Sequence, residues 1–344
     1  MSTLITLSMV VALAQAPAPN PQPQTPKAPA QGQGAPQPKG TDALPLQVML
    51  DRAGFSPGPI DGRMGANTKK ALALFQKSGN EGTTSAEAVT KYRITAEDVA
   101  GPFIERMPTD MMDMAKLPAL GYASVIEELA ERFHSTPAFL QQLNPGVTFA
   151  ADQEIQVPNV EPMALPPPAA PKEPAAKGTA GRGATAGRGA PQNGGGAAAQ
   201  PAPSPQKPDV IVTVAKVNSA MTVTDAAGRV VFYAPVTTGS EHDPLPIGEW
   251  KVTGVQLNPT FRYNPDLFWD AEPSHTKATI PPGPNNSVGL VWIDISKEHY
   301  GLHGTPEPAT IGRTQSHGCV RLTNWDALKL ASLVKPGTRV VFTD

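Results

Sequence analysis

Two stretches of proline, alanine, glycine and glutamine, residues 15–43 and 161–208, limit what the remaining chain can fold into. Proline removes a backbone donor, glycine loosens the chain, and neither stretch has enough apolar side chains to offset the entropy of ordering it. Both read as solvated tethers, and they account for much of the chain's 40 prolines and 31 glycines. The folding sequence is therefore fenced into blocks at 44–160 and 209–344, a multidomain arrangement. The second tether carries an excess of Lys and Arg but no aromatic residue to stack on bases. With a formal charge of −2 over the whole chain, no basic domain is available for phosphates, which excludes nucleic acid as a partner.

Ahead of the first tether, Leu4 to Ala14 is an apolar run ending in Ala12-Leu13-Ala14. It is too short to cross a bilayer and reads as a secretory signal peptide over residues 1–14. No Lys or Arg precedes it, unlike the usual positive start, and no cysteine follows to anchor a lipid. The expectation is export to a periplasm or cell envelope, with no stable membrane span.

Residues 209–344 alternate as strands do. Val210–Val214, Met221–Thr224 and Val230–Tyr233 carry the pattern, with a hairpin at Asp225–Gly228. Gly248–Val255 and Gly289–Ile295 continue it. Asn324–Val334 reads as a helix with Trp325, Leu328, Leu330 and Leu333 inward, and Arg339–Phe342 as a closing strand. This is a mainly β domain, large enough to bury its own core.

The chemistry concentrates between His303 and Asn324, HGTPEPATIGRTQSHGCVRLTN, which holds the only cysteine, Cys319. A thiol attacks as its thiolate, so a reactive cysteine needs an imidazole, a cation or aimed amides beside it. His303, His317, Gly318 and Arg321 offer all of these. Gly318 lets a substrate approach the main chain, where the Gly318 and Cys319 N–H groups can face an oxyanion. Against this acyl-transfer reading stand a buried apolar cysteine, a zinc site of His303, His317 and Cys319, and a glycine-rich turn without chemistry. The surrounding polar residues, the absence of a second cysteine and the coincidence of two histidines with the sole thiol weigh against each in turn.

His303-Gly304-Thr305, Ile311-Gly312 and Ser316-His317-Gly318-Cys319-Val320-Arg321 together resemble the signature of the L,D-transpeptidase (YkuD-type) catalytic domain. The likeness extends through Gly239, Pro246–Trp250, Asn258-Pro259 and Pro281–Asn286, with Ser287 standing where the family often has proline. The resemblance implies a β-sandwich-like domain with one or two helices and no metal or organic cofactor. It implies Cys319 as nucleophile and His303 as proton acceptor and donor, oriented by the Gly304 carbonyl; His317 stays open as a supporting or alternative base. Gly318 would serve the oxyanion. Arg321, Ser316, Thr305, Asn285, Tyr263 and Trp292 are candidates for substrate contact, with Trp269 also near the groove, while Arg321 also suits a surface ion pair and the aromatics also suit packing. The implied substrate is peptidoglycan: Cys319 takes a thioester from a tetrapeptide stem, releases D-alanine and passes the acyl group to an amine. That acceptor is a second stem or a wall-attached protein; water instead would make a carboxypeptidase, and a non-catalytic wall-binding protein is the remaining alternative.

The first block divides into a small α-helical module, 44–100, and a small α+β module, 101–160. LQVMLDRAGFSPGPIDGRMGANTKKALALFQK resembles the helical peptidoglycan-binding module, through Asp61-Gly62, Thr68 and Phe75-Gln76. Helices at Ser124–Arg132 and from Thr136-Pro137 to Asn144-Pro145-Gly146, followed by a strand at Ile155–Val157, are similar to a glycan-binding LysM module. The usual Gly-Asp-Thr opening is replaced by Tyr122-Ala123-Ser124. A helical adaptor and a plain spacer are the plainer readings. Met107, Met111, Met112, Met114 and Leu117 suit packing better than a cofactor.

Overall fold

The computed structural model describes residues 43–80, 87–167 and 207–344. The signal-peptide reading at 1–14, the first tether up to residue 42 and most of the second tether lie outside them. Among the described residues no helix is long and apolar enough to cross a membrane.

Helices α1 (Leu44–Arg52) and α2 (Ala66–Lys77) open the chain. Gly54, at φ +80°, ends the first, a left-handed backbone that glycine adopts without strain. Strand β1 (Val89–Arg93) follows, then the short α3 (Met111–Met114), α4 (Val125–Arg132), α5 (Pro137–Leu143) and β2 (Glu154–Pro158). Ser124 caps α4 by accepting from Glu127 N–H, and Thr136 caps α5 from Phe139 N–H, bonds worth about 1 kcal/mol each. β1 pairs antiparallel with β2 and shares a core with α4 and α5, a βααβ unit from which α3 stands apart to pack elsewhere. Its first strand comes from residues that the sequence places with the helical module. VTKYR is exposed at three of its five positions and carries too little alternation to reveal a partner more than sixty residues away.

The remaining chain forms β3 (Val210–Ala215), β4 (Ala220–Asp225), β5 (Val230–Pro235), β6 (Gly248–Leu257), β7 (Phe261–Tyr263), β8 (Ala278–Ile280), β9 (Val291–Ile295), β10 (Gly301–His303), β11 (Val320–Arg321), α6 (Asn324–Leu333) and β12 (Arg339–Thr343). The predicted strands and the closing helix all appear. An eight-stranded sheet runs β11-β10-β9-β6-β12-β3-β4-β5, parallel only at β10–β11 and β12–β3. One core takes Val212 and Val214 (β3), Phe232 (β5), Ile293 (β9), Leu302 (β10) and Val320 (β11), so the sheet curls over a shared interior that Trp325 and Leu330 of α6 close. The chain beyond β5 then stitches onto β11: Thr237 and Arg321 exchange both main-chain hydrogen bonds, at 3.0 and 2.9 Å. An exposed sheet edge invites pairing with other chains, and this stitch removes it.

The first block packs directly on this domain. Ser56 N–H donates to Tyr233 O at 2.9 Å, and Tyr233 N–H to Gly54 O at 2.8 Å, which covers the outer edge of β5. Leu50, Phe55, Ala71 and Phe75 share one apolar cluster with Tyr233. The methionine segment packs Met107, Met111, Met112 and Met114 against Leu120, Tyr263 and Ile280, bracing the β7–β8 hairpin. Leu120 reinforces this by exchanging main-chain bonds with Pro282 and Asn285.

Candidate active site

In the parallel pair, Leu302 of β10 faces Val320 of β11 and His303 faces Arg321. Leu302 and Val320 point into the core, so by strand alternation Gly301, His303, Cys319 and Arg321 project from the opposite face. Cys319, one residue before β11, falls across from Gly301. It is thereby a diagonal neighbour of His303, and such neighbours in a regular sheet lie roughly 7–8 Å apart, within reach of a long ring. The same row continues into β9, where Trp292 faces His303 and stacks on it, centroids 5.5 Å apart. Gly301 leaves room for that indole: a Cβ there would meet its ring at 2.6 Å.

His303 is buried, and its Nδ1 lies 2.6 Å from the Gly304 carbonyl oxygen. A carbonyl only accepts, so Nδ1 carries the hydrogen and Nε2 presents its lone pair. Burial, helped by the Arg321 charge, pushes the His303 pKa down to about 3. Burial pushes the Cys319 thiol up to about 11, opposed by the Gly301 N–H and Arg321. The half-buried sulfur also points its weak donor at His299 O, 3.8 Å away. The resting pair is a neutral thiol beside a neutral imidazole. An ionised sulfur, which the sequence reading required, is not the ground state, because dehydration outweighs the nearby cation.

Ser316, expected to touch substrate, is buried and donates its hydroxyl to Cys319 O at 2.6 Å, while its main chain bonds Thr238 and Ser240. It clasps the loop from beneath. Gly318 has φ +99°, and a Cβ there would fall 2.6 Å from the Tyr300 ring, so both backbone and space require glycine. His317 donates from Nε2 to Asp270 at 2.8 Å and packs edge-on against Phe268 at 5.0 Å. That bond ties it to the hairpin segment between β7 and β8. Arg321 is half-buried, and among the described residues its guanidinium makes no ion pair or side-chain hydrogen bond, leaving a cation on the face that carries the thiol.

Three further expected contacts are used elsewhere. Thr305 is buried and accepts from Glu307 N–H at 3.2 Å, forming a turn. Asn285 is buried and donates to Gly121 O and Glu127, holding the βααβ unit. Tyr263 is buried and hydrogen-bonds His275 at 2.8 Å, whose Nε2 in turn donates to Asp110. Trp269 is exposed and stacks on His242 at 4.4 Å. The sequence reading missed Gly301, Tyr300, Asp270 and Asn324, none of which carries a local signal of its role. Among the described residues no group of three or more His, Cys, Asp or Glu is placed to hold a metal ion.

Residues 209–342 match the L,D-transpeptidase catalytic domain (YkuD), and residues 39–80 a putative peptidoglycan binding domain. The putative L,D-transpeptidase YkuD of Bacillus licheniformis is 50% identical over 62 residues, 18% of this chain and 38% of that protein. Its namesake from Bacillus subtilis is 36% identical over 112 residues, 33% of this chain and 53% of that protein. The putative L,D-transpeptidase YqjB of Bacillus subtilis is 32% identical over 148 residues, 41% of this chain and 74% of that protein. An L,D-transpeptidase structure from Mycobacterium smegmatis aligns with a TM-score of 0.33 at 18% identity, covering 40% of this chain and 59% of that one. The chain thus spans about half or less of the first two relatives. With most of YqjB matched at that identity, and a separate peptidoglycan-binding match ahead of it, this chain belongs to the YkuD-type L,D-transpeptidase family.

Proposed function

We propose that the protein is a peptidoglycan L,D-transpeptidase working through a Cys319 thioester. The observation that carries this reading is the shared face of β10 and β11, where a thiol and an imidazole with a fixed tautomer are diagonal neighbours. His303 Nε2 takes the thiol proton as sulfur attacks the carbonyl carbon of the residue that precedes the terminal D-alanine of a tetrapeptide stem. The Gly318 and Cys319 N–H groups face the oxyanion, and Arg321 draws the substrate carboxylate. Collapse breaks the C–N bond, and the proton held on His303 goes to the departing D-alanine amine. An acceptor amine, from a second stem or a wall-attached protein, then attacks the thioester. It gives its proton to His303 as the C–S bond breaks, and that proton returns to sulfur. Because the resting pair is neutral, proton transfer and attack are coupled, and His303 acts as a general base. The N-terminal match and the LysM-like βααβ unit would hold the enzyme to wall glycan, with the leader directing export.

The test is mass spectrometry of the protein with purified muropeptides. A mass gain on the Cys319 peptide, new cross-links, and loss of both in Cys319→Ala are expected. Turnover that survives in Cys319→Ala would overturn the reading. Product analysis distinguishes an amine acceptor from water.

A further inference from the structure

The His303 imidazole is held by the Gly304 carbonyl, and a buried side chain packs against that glycine. Asn324, fully buried at the start of α6, accepts from Leu290 N–H through Oδ1 at 2.9 Å and donates from Nδ2 to Pro284 O at 3.2 Å. A main-chain N–H only donates and a carbonyl only accepts, so these two bonds fix which way the amide faces. Its oxygen wedges between two turns: a Cβ would lie 2.1 Å from it on Gly304 and 2.0 Å from it on Gly289. The remaining Nδ2 hydrogen points at Glu131 Oε1, 2.9 Å away. Glu131 belongs to α4, outside the catalytic domain, and is itself buried with Tyr122 O–H donating to Oε2 at 2.6 Å. Of the three partners of the amide, only this one is a side chain, and it comes from outside the catalytic domain.

We propose that Glu131 is a positioning residue for His303, acting from the βααβ unit through the Asn324 amide and the Gly304 peptide to fix the imidazole tautomer. The catalytic geometry is then incomplete without a side chain from the preceding module. Losing the acceptor leaves a buried amide hydrogen unpaired, and Asn324 relieves this by shifting. Gly304 lies against its oxygen and moves with it, which loosens the carbonyl that holds Nδ1–H. The inference rests on the reading of His303 as the proton acceptor for Cys319.

The experiment uses the full chain with Glu131→Met, which fills the space without an acceptor, and Glu131→Gln, which restores one. Imidazole 15N shifts report the His303 tautomer without any turnover, and muropeptide kinetics report kcat and KM separately. Wild type and Glu131→Gln are expected to show a single Nδ1–H form. Glu131→Met should show mixed tautomers, with kcat about tenfold to a hundredfold lower and KM within about twofold. If Glu131→Met folds too poorly, Glu131→Asp, one methylene short of Asn324, carries the same expectation. A wild-type tautomer and kcat in these variants would overturn the proposal. So would Glu131→Gln falling as far as Glu131→Met, which would put the effect on the charge and not on the hydrogen-bond acceptor. A wild type without turnover would sink the transpeptidase reading, while the tautomer shifts would still decide the role of Glu131.

Discussion

Trp292 lies on His303 with ring planes 21° from parallel, and its indole fills the space above Gly301. The histidine is therefore walled on its β9 side. Gly301→Ala would drive a methyl group into that indole, a clash that in a packed site costs about 1–3 kcal/mol. Urea denaturation and turnover should both fall. Adding Trp292→Ala should restore the stability and not the turnover, because the stack on His303 is then gone.

Cys319 is held up near 11 and His303 down near 3, so both are neutral across the physiological range. A raised thiol pKa means less thiolate at any given pH, about one part in ten thousand at pH 7. Iodoacetamide modification of Cys319 should climb steadily from pH 7 to pH 10, with no plateau near neutrality. A plateau between pH 6 and 8 would instead show a preformed thiolate–imidazolium pair.

Gly318 is constrained twice, by φ +99° and by the Tyr300 ring. Gly318→Ala should abolish acyl-enzyme formation, as seen by intact-protein mass. Tyr300→Ala added to it should recover little, because a left-handed backbone still costs an alanine about 1–2 kcal/mol.

Asp326 is fully buried beside the stacked pair of His134 and Trp325, and accepts from Ser56 O–H at 2.9 Å. Burial, with the Asp51 charge adding to it, raises its pKa from 3.8 to about 7. Between those values the unfolded chain has lost the proton and the folded chain keeps it, so this group's contribution to stability falls as pH rises through the window. Asp326→Asn should remove that part of the slope, on the order of 2–4 kcal/mol between pH 4 and pH 8. Denaturant titrations of both proteins at the two pH values measure it; equal slopes would refute it.

Asn285 joins the catalytic domain to Gly121 and Glu127 through its side-chain amide. Asn285→Ala should lower stability by about 1–3 kcal/mol by leaving buried partners unpaired, and leave KM within about twofold. A large rise in KM with unchanged melting would return it to the substrate site.

The reactive pair was legible because its cues are local: one thiol, glycines at turns and histidines at fixed offsets. β3 and β4 were legible because one face of each is buried, which writes alternation into the sequence. β10 and β11, with three and two residues, are too short to show a period, yet their register brings His303 to Cys319. Asn285 and Tyr263 looked like groove residues because polar and aromatic side chains in loops suit both binding and packing. Only the segment from Met107 to Gly121 lying against them decides for packing.

The sequence by itself determined which atoms can react and which segments can pleat, since residue identity and periodicity are properties of neighbours along the chain. The tertiary structure decided the protonation of the thiol and imidazole, the partner of each ring nitrogen, and the link from Glu131 to Asn324 across 193 positions. Desolvation and hydrogen-bond satisfaction depend on whatever packs nearby, and here much of that packing comes from distant chain.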